Sequence, residues 1–156
     1  MNRLEILEEE SEKENVEVFP YIFESEKIKG LYCDGTIAIR KDIPTLTEKA
    51  CILAEELGHY HMTVGDILDQ TKTENRKQEL KARIWAYNKQ IGLLGIVRAY
   101  EYGCRSVYET AEYLEVTESF LMEALKRYSE KYGEFTTVDN YIVYFQPNVG
   151  VMKMIG

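Results

Sequence analysis

The spacing of apolar and polar residues changes along the chain, and each rhythm predicts an element. Asn2–Glu14 has only Leu4 and Leu7 as a narrow apolar stripe in a run of glutamates, which predicts a charged helix with a solvated face. "VEVFPYIF", Val16–Phe23, reads as extended, with Pro20 confining it to an edge or a bend. In "IKGLYCDGTIAIRK" the Asp34-Gly35 pair is a strong two-residue turn between short apolar segments, so a β-hairpin is expected there. "IPTLTEKACILAEELGHYH" then takes on helical spacing. Thr45 and Thr47 are both suited to cap it, and Glu48 stands where a capping box with Thr45 needs a carboxylate.

That helix is expected to reach about His59, followed by the connection "MTVGDILDQT". Thr71 and Glu74 suggest a second capping box, opening a helix over about Asn75–Ile91 whose pattern loosens at Gly92 and Gly95. Ser106–Tyr132 is helical again and stops at Gly133. The tail, "TTVDNYIVYFQPNVGVMKMIG", is rich in β-branched and aromatic residues, with a Pro-Asn-Val-Gly turn. It reads as a late strand or hairpin able to join the first sheet. No repeat, linker or low-complexity stretch interrupts the 156 residues. The expectation is a single α+β domain over 1–156, a short sheet packed on helices.

The formal net charge of −8 disfavours wrapping nucleic acid, which needs clustered Lys and Arg. Three cysteines without metal-type spacing, and no apolar run of membrane length, suggest a reduced, cytoplasmic protein with no membrane partner.

Candidate chemistry sits in "ACILAEELGHYHM". At about 100° per residue, Ala50, Leu53, Ala54 and Leu57 gather on one helix face. Glu55, Glu56 and His59 gather on roughly the opposite one. Glu55 and His59 stand one turn apart, where two ligands can share a metal while a carboxylate between them faces water. Spacing alone leaves an ordinary solvated face open as well. Three features point to chemistry. Both histidines of the chain fall in His59-Tyr60-His61, and the helix is otherwise almost wholly apolar from Ala50 to Leu57. Burying unpartnered carboxylates there would cost several kcal/mol, roughly.

A second motif lies downstream, "ELKARIWA", Glu79–Ala86. With "EELGH" before it and the "GLYCDGTIAI" hairpin ahead of both, the chain resembles the ImmA/IrrE metallo-endopeptidases. Their pattern is H-E-x-x-H on one helix and E-x-x-A-x-x-F-A on the next. The resemblance is strongest from Gly30 to Ala86 and implies a small zincin-like peptidase core. It implies metal ligation by His59 and Glu79, and Glu56 as the general base. It also implies that Ala82 and Ala86 let the second helix approach closely.

The chain departs from the family at Glu55, where the pattern has histidine. Glu55 ligation would give an oxygen-rich site that takes zinc but admits manganese or iron. Alternatively His61 supplies the nitrogen; on a continuous helix it points about 200° from His59, so the helix would have to unwind near Tyr60. A third outcome is lost metal affinity. Glu55 ligation is the favoured reading, with His61 as a neighbour of the site.

"YETAEYLEVTESFLMEALKRY" scans like a helix-turn-helix, but Glu118 and Glu123 offset Lys126 and Arg127 on its second helix. The segment over about 106–132 is therefore expected to dock protein rather than nucleic acid. The leading function is a metal-dependent endopeptidase, and the resemblance implies a phage or mobile-element helix-turn-helix repressor as substrate. A catalytically degenerate anti-repressor acting by binding, and a helix-turn-helix DNA-binding regulator, are the alternatives.

Overall fold

The computed structural model describes residues 1–62 and 72–155, the side chains of 72–74 excepted. The connection after Met62 and the Thr71–Glu74 capping box lie outside the described residues. The chain forms two compact units, 1–86 and 87–156, each mixed α and β.

The first unit opens with α1 (Arg3–Lys13), capped by a reciprocal box between Asn2 and Glu5. Leu4 and Leu7 are its buried stripe, and Ser11 is buried beside them, its hydroxyl donating to the Leu7 carbonyl at 2.7 Å. β1 (Glu17–Tyr21), β2 (Gly30–Cys33) and β3 (Thr36–Arg40) follow. The sheet order is β1-β3-β2, with β1 parallel and β2 antiparallel to β3. Pro20 thus lies on an edge strand, where its missing N–H costs no ladder bond. The β2–β3 turn is the expected one: Asp34 and Gly35 both have positive φ, 48° and 82°, as a twisted two-residue hairpin requires.

Register sorts the strand residues into two faces. Ile37 and Ile39 share one face with Val18, Tyr32 and Gly30. Against it packs α2 (Leu46–Met62), burying Ala50, Leu53, Ala54 and Leu57. Burial of each leucine contributes about 1.5–3 kcal/mol. Thr45 caps α2 by accepting from the Glu48 N–H at 3.1 Å, while the Glu48 carboxylate takes the Lys29 ammonium at 2.7 Å. The next helix, α3 (Lys72–Gln90), belongs to this unit as far as Ala86.

The second unit contains α4 (Gly92–Tyr102), α5 (Val107–Leu114) and α6 (Glu118–Tyr132). Gly92, at φ 65°, turns the chain between α3 and α4, so the loosening expected there is a helix boundary followed by a new helix. The helical segment 106–132 divides into two helices, as its helix-turn-helix spacing suggests. Glu115 adopts φ 56° at the end of α5, and Thr117 caps α6 by accepting from the Phe120 N–H. Strands β4 (Phe135–Val138), β5 (Tyr141–Tyr144) and β6 (Gly150–Lys153) then form an antiparallel sheet of their own. The tail does not join the first sheet: Asp139, at φ 51°, closes a turn that pairs β4 with β5 first. Among the described residues no helix is long and apolar enough to cross a membrane.

Gln90 breaks the apolar rule of this core. Its side chain is buried, and both amide atoms lack a hydrogen-bond partner. Such an amide is costly, and an apolar side chain of similar volume avoids the cost. Gln90→Met is expected to raise stability by about 1–3 kcal/mol in urea unfolding. A lower midpoint would show that the amide is satisfied in solution.

Candidate metal centre

Three elements of the first unit meet around Glu56. It sits midway along α2, half-buried, and accepts a hydrogen bond from the Tyr32 backbone N–H of edge strand β2. Gly30 makes the strand's approach possible, because a β-carbon there would lie 2.7 Å from Ile52 Cγ2 and 3.1 Å from Glu56 Oε1. Burial is the main influence on Glu56 and pushes it up to about 7. His59 pulls it down, whereas the like charges of Glu55 and Glu79 push it further up.

One turn along α2, His59 Nε2 meets Glu79 Oε1 of α3 at 3.1 Å. The hydrogen bond that His59 donates to the Glu79 carboxylate is the largest influence raising His59; it outweighs burial, and the Glu79, Glu56 and Glu55 charges add to it. The same bond holds Glu79 below the usual carboxylate range, helped by His59 and Arg83 charge and opposed by partial burial. His59 keeps only 19% of its side chain exposed, against 56% for Glu79, so the pair opens to solvent on the α3 side.

Glu55 is half-buried and engaged by interactions of its own, and its charge acts on both Glu56 and His59. Helix α2 is unbroken through Met62, without the unwinding that ligation by His61 requires. His61 instead pairs with Glu14 at 3.2 Å and stacks on Trp85 of α3, ring centroids 4.6 Å apart. The structure therefore brings together His59 and Glu79, with Glu56 in their field. Among the described residues no three His, Cys, Asp or Glu side chains are gathered as a ready-made metal group.

The donor chemistry at His59 and Glu79 nonetheless suits a cation. An imidazole nitrogen and a carboxylate oxygen face one another in the field of two further carboxylates. In the pair as it stands, that field strengthens the hold of His59 on a proton. A divalent ion is the other positive charge such lone pairs accept, and its binding would displace that proton.

The spacing of the motifs did not reveal the glycines. Gly58 brings α2 against the α3 backbone at Ala82, and Gly30 brings β2 against Glu56. A glycine inside an otherwise good helix was the available signal for Gly58, since it weakens the helix unless a close approach needs it. The Tyr32 backbone donor leaves no mark in a single sequence.

A family model, the IrrE N-terminal-like domain (Peptidase_M78), matches residues 4–126. The chain belongs to this family. Comparison with curated proteins and with solved structures gives no significant match. The Peptidase_M78 span includes both motif helices, the β2–β3 hairpin and the start of α6. Membership in Peptidase_M78 supports a metallopeptidase-type function.

Proposed function

We propose that the chain is a metal-dependent endopeptidase acting on a helix-turn-helix repressor of a phage or mobile element. The observation that carries the peptidase reading is the His59–Glu79 pair set beside a half-buried carboxylate whose pKa is raised to about 7, while the repressor is what the family resemblance implies. His59 and Glu79 would hold the ion, with Glu55 as the third donor. Zinc is the first choice, and the carboxylates admit manganese or iron. When bound, the ion supplies Lewis acidity toward a peptide carbonyl and toward water.

The remaining work falls to Glu56. A carboxylate poised near 7 takes a proton from the attacking water and returns it to the leaving nitrogen close to neutral pH. The Tyr32 N–H keeps that carboxylate in one orientation. The α5–α6 pair is proposed to dock protein. Glu109, Glu112, Glu115, Glu118 and Glu123 are exposed on it and outweigh the three basic residues of α6, Lys126, Arg127 and Lys131. Such a surface repels a phosphate backbone.

The test is co-expression with a helix-turn-helix repressor of a phage or mobile element, followed by purified components and mass spectrometry. Two repressor fragments are expected, lost on chelation and restored by zinc. Release of intact repressor from its operator, equally with and without chelator, would mean action by binding alone. Retention of operator DNA by the chain itself in a gel shift would favour the regulator.

A further inference from the structure

Helices α2 and α3 approach closely beside the His59–Glu79 pair. A β-carbon placed on Gly58 would lie 2.2 Å from the Ala82 carbonyl oxygen, 2.9 Å from its carbon and 3.0 Å from its Cα. These obstacles are main chain, so no rotamer change clears them, and α3 itself must retreat. Ala82 is fully buried at the crossing. Glu79 precedes it by three residues and so projects from the same side of α3. On α2, His59 directly follows Gly58.

We propose that Gly58 is a positioning residue that sets the reach of Glu79 to His59. The inference rests on reading that pair as the catalytic centre, but its geometry is independent of that reading. The pair is 3.1 Å apart, so a retreat of about 1 Å at the crossing carries it beyond hydrogen-bond distance. Alanine favours a helix over glycine, so at Gly58 helix propensity and tertiary approach pull in opposite directions. The approach prevails, and the position tolerates no side chain.

A built-in reporter reads this spacing without an activity assay. Trp85, the sole tryptophan, lies on α3 one turn from Ala82 and stacks on His61 of α2, with planes 19° apart. An imidazole in contact quenches indole emission, so separating the helices brightens the protein. Emission is compared for wild type, Gly58→Ala and His61→Ala without metal, the last giving the unstacked limit. Zinc affinity is then measured for wild type and Gly58→Ala.

Gly58→Ala is expected to rise most of the way to the His61→Ala emission and to bind zinc at least about tenfold more weakly. Wild-type emission in a folded Gly58→Ala protein overturns the proposal. If circular dichroism shows that Gly58→Ala does not fold, Ala82→Ser adds one oxygen at the same crossing. An intermediate rise in that variant supports the proposal, and wild-type emission overturns it. A wild type that binds no zinc, with the emission rise present, keeps Gly58 as the spacer of the pair while removing the peptidase reading.

Discussion

Replacing Glu56 with glutamine lowers kcat/KM for the protein substrate by about 10²–10⁴-fold, the usual contribution of a positioned general base. The substitution keeps the shape of the side chain and its place under the Tyr32 N–H, but cannot take a proton. It is also expected to leave the protein at least as stable, and the sign follows from linkage. The folded pKa of Glu56, about 7, lies above its ordinary value of 4.5, so folding favours the neutral acid. That contribution is whole below about pH 4.5 and is lost as pH rises through about 7. Above pH 7 the wild type carries a half-buried negative charge that the variant lacks, a difference of at most about 3 kcal/mol. Unfolding at pH 5 and pH 8 checks this: the gap between wild type and Glu56→Gln widens at the higher pH. A variant that loses activity and stability together would make Glu56 a structural residue.

The second large effect is expected at Glu55. Glu55→Ala is expected to weaken metal binding by more than the 10–100-fold that loss of an outer partner costs, and to remove cleavage. Glu55→His restores the usual family set and shifts preference toward zinc, because imidazole suits that ion better than a hard carboxylate does. The structure adds an electrostatic consequence. Glu55 pushes both Glu56 and His59 upward, so removing its charge lowers both. Competitive metal titration of wild type, Glu55→Ala and Glu55→His separates the outcomes. Equal affinity in wild type and Glu55→Ala would show that Glu55 is no ligand.

Much of the first unit is legible in its residues. Asp34-Gly35 announces the β2–β3 hairpin because two successive positive φ angles demand that composition. The apolar set Ala50, Leu53, Ala54 and Leu57 announces the buried face of α2 and leaves His59 off it, whereas the place of Glu56 against β2 is set by the tertiary approach at Gly30. Motif order brings Glu79 to His59 although nineteen residues lie between them. Harder to read are the features set by tertiary approach. Gly92 looks like a weakening of one helix and is the turn into another. The late strands have no sequence mark that names their partner, and β4, β5 and β6 pair with each other. Glu55 cannot be placed by spacing, since one turn of helix aligns it with His59 without fixing its rotamer. His61 pairs with Glu14, a contact between residues distant in sequence that no local pattern encodes.

The His59–Glu79 pair is proposed as a place for a metal ion. Its most direct measurement is calorimetric titration of zinc into wild type, His59→Ala and Glu79→Ala, with proton release followed in two buffers. One zinc per chain is expected in the wild type, with release of a proton as the ion displaces it from the imidazole. Either variant should lose that binding and the proton release together. Wild-type zinc affinity in His59→Ala, or a wild type that takes up none of zinc, manganese or iron, would contradict a metal site at this pair.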